Sequence, residues 1–178
     1  MPAVAAILAN GSLTPDRLDA VACGAGPGSF TSLRIAASIA KGICAARAIS
    51  LLAAPSTLLV AAALDSPAAG SYVVALDAMR GDFFCQDVIV TGDGALEPGE
   101  SWRSSRDRLE EHAKSRGARI IGPAESPPTM PHAAGFARLM TFRLAHIVDL
   151  TSWEPNYGRK AEAQVRWETA HGRELGAG

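Results

Sequence analysis

The segment that most constrains this chain is a glycine-rich stretch over residues 24–31, which reads Gly-Ala-Gly-Pro-Gly-Ser-Phe-Thr. Three glycines and a proline within five positions are incompatible with a regular helix or strand. Residues 20–24 are small and apolar, as in a short buried strand, and residues 31–48 are alanine-rich and predict a helix. The stretch is therefore a tight turn that leads from a buried strand into a helix, which Ser29 or Thr31 can cap.

The rest of the pattern alternates strands and helices, which predicts an α/β fold. Apolar runs at 71–77 and 83–90 are joined by a short polar turn and predict a β-hairpin. Residues 91–101 are rich in glycine, proline and acidic side chains and are predicted to form a loop. The other predicted helices lie at 1–9, from 15, at 56–64, at 106–116 and at 132–148, the last with Phe136, Leu139, Met140 and Leu144 inward. The other predicted strands lie at 49–53 and 118–121, and residues 123–131 form an irregular proline-rich segment.

Composition and charge are those of an ordinary globular protein. The chain has 178 residues, of which 48% are hydrophobic, and a formal net charge of -1. Because a domain that holds nucleic acid alone usually carries a basic surface, contact with RNA would require a more basic partner. No apolar run approaches the ~18 residues of a membrane span, and the first residues lack the positive charge of a signal peptide. We therefore expect the cytoplasm and no membrane association.

The cysteines and histidines do not predict a metal site. Cys23, Cys44 and Cys85 are far apart and lie in apolar runs, so we expect three buried, reduced thiols. The four histidines show no spacing typical of zinc ligands. The sequence predicts that His112 and His171 lie on the surface and that His146 lies within a helix.

The glycine stretch has two interpretations. Backbone amides at Gly26, Gly28 and Ser29, at the start of a helix, could contact a phosphate. The stretch lacks the Gly-Lys-Ser/Thr ending of a Walker motif and the full pattern of a dinucleotide-binding loop. The alternative, which the residues alone favour, is a turn that lets the helix pack closely on its sheet.

The helix after this stretch is apolar nearly all round, and a helix of that kind must be covered on every side. Ser32, Ala36, Ala40 and Ile43 recur at three- and four-residue spacing, and small side chains let another helix approach closely. One face can pack on the chain's own sheet while another contacts a second subunit.

Residues 77–82 favour a hairpin turn with a solvated charge pair over a catalytic acid, and residues 155–168 favour a solvated tail over a nucleic-acid contact.

Three motifs resemble a known family. Residues 26–35 are similar to the Gly-Pro-Gly-Ser-Phe-Thr-Gly-Leu-Arg-Ile signature of the tRNA threonylcarbamoyladenosine biosynthesis proteins of the TsaB (YeaZ) family. Residues 77–84 resemble that family's Asp-Ala-Arg-Arg-Gly-Glu-Val-Tyr hairpin, and residues 155–162 resemble its ending. The sequence departs from the pattern in two ways, because Ser32 replaces a glycine and the family's opening strands have no counterpart here.

The resemblance implies an actin-like ATPase (ribonuclease H-like) fold with two lobes of mixed sheet and helices. The implied division is a partial, N-terminally truncated first lobe at 1–55, a second lobe at 56–150, and a tail at 151–178 that packs back on the first lobe. We expect residues that the opening strands would cover to be exposed and prone to aggregation.

The resemblance also implies a function. The chain would be a non-catalytic scaffold without a cofactor or metal of its own, pairing with a TsaD-like transferase subunit and a TsaE-like ATPase in threonylcarbamoyl modification of the tRNA adenosine beside the anticodon. It would bind ATP weakly or only through the complex, would contact tRNA only through the complex, and could homodimerise in isolation. The implied partner interface consists of Val4, Ile7, Leu8, Thr31, Ile35, Ala36, Ile39, Ala40 and Ile43. The alternative is a nucleotide-dependent kinase or transferase of the same fold that uses the glycine stretch for phosphates.

Overall fold

The computed structural model describes residues 2–158, 167 and 170–172. Two sheets organise this part of the chain, one of three strands and one of four. None of the helices in these ranges combines the length and the apolar character needed to cross a membrane. The elements are α1 (Pro2–Asn10), a 3-10 turn (Pro15–Arg17), β1 (Ala20–Gly24), α2 (Phe30–Arg47), β2 (Ser50–Ala54), α3 (Ser56–Ala62), β3 (Gly70–Asp77), β4 (Asp82–Val90), β5 (Leu96–Ser105), α4 (Arg106–Ser115), β6 (Arg119–Ile121), α5 (Gly135–Thr141) and β7 (His146–Val148).

The first sheet has the order β1-β2-β7, in which β1 and β2 are parallel and β7 is antiparallel to β2. The crossover between the parallel strands is α2, as the glycine stretch predicts. The Ser29 hydroxyl accepts a hydrogen bond from the Ser32 amide at 3.5 Å and caps the helix. One face of α2 packs on the sheet through a small core of Cys23, Ala40, Cys44 and Leu51.

The second sheet has the order β5-β4-β3-β6 and is covered on both faces. The predicted hairpin of β3 and β4 is confirmed, and its turn holds Met79 and Arg80 at φ 69° and 58°. Phe84 and Val88 on one face of β4 join the main core with α3 and α5, whereas Cys85 on the other face packs against α4. This alternation gives the second sheet a core on each side.

The loop predicted over residues 91–101 is wrong from Leu96 onward, because β5 begins there and pairs antiparallel with β4. Pro98 is tolerated since β5 is an edge strand and lies beside a register shift between Gln86 and Val88. Pairing with a neighbouring strand therefore overrides the local composition.

The long helix predicted over residues 132–148 is also wrong. The helix spans only Gly135–Thr141, and after Arg143 at φ 56° the chain continues as β7. Ile147 pairs with Leu52 of β2, so a β-branched segment completes the first sheet. His146 consequently begins a strand and does not lie in a helix. Phe136 and Leu139 are buried as predicted, but Met140 is 51% exposed.

The chain returns to the first sheet after β7. Trp153 packs against the core of that sheet, and the Asn156 amide donates a hydrogen bond to the Ala25 carbonyl oxygen at 2.7 Å. The ring of Tyr157 lies 4.5 Å from the ring of Phe30 at the start of α2. Most of the predicted tail at 151–178 beyond residue 158 lies outside the described residues, and the division at 55 and 150 stays a prediction.

Candidate functional site

An apolar groove, which we call the β1 groove, lies beside β1 of the first sheet. Its volume is about 610 Å³. One wall is formed by α1, another by α2, and the floor by β1. The far end is closed by residues 131–133 and Phe136. The α1 and α2 walls consist of Val4, Ile7 and Leu8, and of Ala36, Ile39, Ala40 and Ile43.

The floor of this groove is an open sheet edge. Within the described ranges β1 pairs with β2 alone, so its other edge carries no strand. The sequence of β1, Ala-Val-Ala-Cys-Gly, has none of the charges or prolines with which proteins protect such edges. A neutral open edge beside an apolar groove is a surface that favours association.

The face of the first sheet opposite α2 is also partly uncovered. Ala22, Leu52 and Ile147 lie side by side across the three strands. Ala22 is exposed, Leu52 is half-buried and Ile147 is 71% exposed. Because Ala22 also lines the β1 groove, the groove adjoins this partly uncovered apolar face.

Most of the predicted interface residues lie together at this groove. Seven of the nine line it, namely Val4, Ile7, Leu8, Ala36, Ile39, Ala40 and Ile43. Thr31 and Ile35 lie outside the lining on exposed positions of the first turns of α2. Ile7 is 70% exposed and Ile35 is 57% exposed, whereas Ala40 is only 4% exposed and belongs to the core. An interface role for these residues stays a prediction.

The glycine stretch is built into the fold on its inner side. Gly26 has φ +85°, and a Cβ there would lie 2.0 Å from the Asn156 carbonyl oxygen. The Gly26 carbonyl oxygen accepts a hydrogen bond from the Ser56 amide at 2.8 Å. This glycine is therefore required for close chain packing. Gly28 is half-buried and Ser29 exposed beside it, and their contact with phosphate stays a prediction.

Charged side chains gather around α4, away from the β1 groove. Asp87 is bound by the His112 Nε2 at 2.9 Å and lies 3.4 Å from the Arg116 guanidinium. His112 is half-buried and its ring also contacts Trp102. Hydrogen bonds to Glu125 and then Glu110 raise the pKa of Arg106 above its ordinary value. The Asp87 contacts attach the end of α4 to β4 of the second sheet, and the Arg106–Glu125 pair attaches the start of α4 to the segment after β6.

All three cysteines are buried and free, as predicted. Burial raises the pKa of Cys23, which lines the β1 groove, and that of Cys44. Burial and, to a lesser extent, the Asp87 carboxylate raise the pKa of Cys85 to about 11. Among the residues that the structure describes, no three His, Cys, Asp or Glu side chains are grouped as metal ligands would be.

A polar pair inside the main core was not singled out from the sequence. The Thr57 hydroxyl donates a hydrogen bond to Gln86 Oε1, and both residues are buried. A signal was available, because Phe84, Gln86 and Val88 share one face of a predicted strand and glutamine is the polar member. A buried glutamine among core residues indicates a specific polar contact.

Comparison with known proteins identifies relatives of this fold. Residues 1–100 match the family model described as "TsaD: tRNA N6-adenosine threonylcarbamoyltransferase". The tRNA threonylcarbamoyladenosine biosynthesis protein TsaB of Haemophilus influenzae is 33% identical over 90 residues, which are 50% of this chain and 38% of that protein. The match therefore spans well under half the length of that curated relative.

Two solved structures share the architecture. A Pseudomonas aeruginosa protein described as similar to peptidase YEAZ superposes with a TM-score of 0.70 at 22% identity, covering 89% of this chain and 82% of that one. YeaZ from Pseudomonas aeruginosa gives a TM-score of 0.69 at 22% identity, covering 87% and 82%. The predicted actin-like, ribonuclease H-like fold class is thereby confirmed. Since the family model covers more than half of its residues, the chain belongs to the tRNA N6-adenosine threonylcarbamoyltransferase family, in which it is a TsaB/YeaZ-like member.

Proposed function

We propose that this chain acts in threonylcarbamoyladenosine modification of tRNA as a non-catalytic scaffold that pairs with a TsaD-like transferase subunit. The name of the Haemophilus influenzae relative and the matched family model support the pathway. The single observation that carries the scaffold role is the β1 groove, whose apolar walls and open strand edge favour covering by another protein. The TsaE-like ATPase and tRNA would then join through the transferase subunit.

The position of the groove supports a partner over a small substrate. Isoleucines at its α1 wall and on the adjoining turn of α2 are more than half exposed, as in the centre of an interface before association. All charged side chains of α2, which are Arg34, Lys41 and Arg47, lie outside the groove lining. A catalytic cleft would instead bring polar groups together.

The test is complex formation with a purified TsaD-like subunit at micromolar concentration, measured by light scattering after size exclusion. We expect a one-to-one heterodimer. Ile7→Asp, in the α1 wall of the groove where the side chain is 70% exposed, should weaken it by about tenfold or more, because a charge would be buried at the contact. The matched control is Ile89→Asp, since Ile89 is also an exposed isoleucine (49%) but lies on β4 of the second sheet.

Circular dichroism should show that both variants keep the fold, because both side chains are exposed. Two results would refute the scaffold role: no heterodimer with the unmodified chain, or equal weakening by the two variants. Tight binding of ATP and magnesium by the isolated chain, lost in Gly28→Val, would instead support the nucleotide-dependent enzyme.

A further inference from the structure

A second cavity lies between the glycine stretch and the second sheet, and its lining shares no residue with that of the β1 groove. Its volume is about 350 Å³, within the usual range of small-molecule sites. Its apolar walls include Pro27, Pro55 and Phe84. Its polar lining residues are Thr57, Gln86, Ser101, Arg103 and Asn156. We call this cavity the Gln86 pocket.

The side-chain amide of Gln86 is only half satisfied. Gln86 is 7% exposed, and its Oε1 accepts the Thr57 hydroxyl. Within the described residues, Gln86 Nε2 donates no hydrogen bond, although the backbone of Gln86 pairs with Val74 and Ser101 in the sheet. In that part of the chain, every buried side-chain nitrogen or oxygen that is fully shielded from solvent has a hydrogen-bond partner. Since Gln86 Nε2 has none, it retains some accessible surface. Because Gln86 lines the pocket, that surface opens into it.

The chemistry around this nitrogen selects for an oxygen acceptor. Two N–H donors on a nine-tenths buried amide are costly to leave unpaired. Arg103 adds a positive group to the lining, while its partner Asp82, 2.9 Å away, is not among the lining residues. The walls formed by two prolines and a phenylalanine suit a flat apolar body.

We propose that the Gln86 pocket binds a small molecule that presents a carbonyl or carboxylate oxygen to Gln86 Nε2 and a flat apolar body to Phe84. Amides and carboxylic acids share this acceptor. The site lies on different residues from the β1 groove, and it goes beyond the scaffold role and does not depend on it.

The test uses benzamide, benzoate and benzyl alcohol as probes of similar size in a nuclear magnetic resonance titration of the whole chain. We expect saturable shifts of the Gln86 side-chain NH₂ signals with benzamide or benzoate in the millimolar range. Whichever of benzamide and benzoate binds more tightly shows whether the pocket prefers an amide or a carboxylic acid. Benzyl alcohol, which has no carbonyl, should bind about tenfold more weakly.

The blocking variant is Ser101→Phe, because Ser101 is an exposed β5 residue at the pocket and a ring there would fill it. Its matched control is Glu100→Phe on the same strand, whose residue lines a different cavity. The first variant should abolish the shifts and the second should leave them unchanged. If the Gln86→Leu variant folds, it should bind the carbonyl probes about tenfold more weakly. If it does not fold, Ser101→Phe alone tests the proposal.

Absence of shifts with both carbonyl probes at about 10 mM would overturn the proposal. So would equal binding of benzyl alcohol, or binding that persists in Ser101→Phe.

Discussion

The two sheets of this chain differ in how completely they are covered. The second sheet has helices on both faces, and residues such as Val73, Val74 and Leu109 are fully buried. The first sheet has a small core against α2, while its opposite face reaches the main core at Ala54 but leaves Ile147 exposed. Within the described residues, the outer edge of β1 is also unpaired. The difference teaches that the second sheet is stabilised within the chain, whereas the first is suited to association with another protein.

The largest effect should come from the second sheet. Leu109→Ala removes a fully buried side chain from the core against α4 and should lower the free energy of unfolding by about 2–5 kcal/mol. Ile39→Ala, in the wall of the β1 groove where the side chain is 38% exposed, should cost clearly less in the isolated chain. Urea denaturation measures both. Equal losses would contradict the contrast between the sheets.

The next effect concerns the attachment of residues 155–158 to the first sheet. Gly26→Ala should lower the free energy of unfolding by about 1–3 kcal/mol, because it combines a positive φ with a clash against the Asn156 carbonyl. Gly42→Ala is the matched control, since Gly42 lies within α2 with open space around it. It should stabilise by about 0.5–1 kcal/mol. If thermal or urea unfolding shows that Gly26→Ala and Gly42→Ala shift the free energy of unfolding in the same direction, the close packing at Gly26 is not required.

A pH dependence should arise from the second sheet. The Cys85 thiol has a pKa raised from 9.0 to about 11 by burial. Its neutral form is favoured in the folded state, so its contribution is fully present below pH 9.0 and is lost as the pH rises through about 11. Cys85→Ala should therefore show a shallower loss of stability over this range. The free energy of unfolding of the unmodified chain and of Cys85→Ala is measured by urea denaturation at several pH values. If the two values change in parallel with pH, this contribution is excluded.

The smallest effect should come from the exposed rim of the second sheet. Arg103 and Asp82 form an ion pair at 2.9 Å in which both side chains are well exposed. Arg103→Ala should change the free energy of unfolding by less than about 1 kcal/mol, since exposed pairs are screened by solvent. A larger loss, measured under the same urea conditions, would mean that this rim contributes to the core.

Much of the fold could be predicted from local sequence. The glycine stretch, the strand before it and the capped helix after it follow from residue types alone, and so does the hairpin around residues 78–81. The strand β5 could not be predicted, because pairing with β4 determines it and its glycine and proline resemble a loop. The end of α5 and the start of β7 likewise depend on where β2 lies.

The candidate sites were predictable to different degrees. The α2 wall residues were indicated by a helix that is apolar nearly all round and requires covering, whereas the α1 wall residues were implied by the family resemblance. The composition of β1 does not reveal its open edge, since a buried strand and an unpaired one have the same composition, and exposure in this lobe was expected only from the family's opening strands, which have no counterpart here. Gln86 was overlooked because its partner Thr57 is 29 positions away in the chain.

The central claim is that the β1 groove and the open edge of β1 are covered by the transferase partner. Backbone hydrogen exchange of the isolated chain and of its mixture with a TsaD-like subunit tests it most directly. The account predicts slower exchange on mixing at the outer edge of β1 and along α1 and α2, with little change at β4 and β5. Protection confined to β4 and β5, or no protection anywhere, would contradict it.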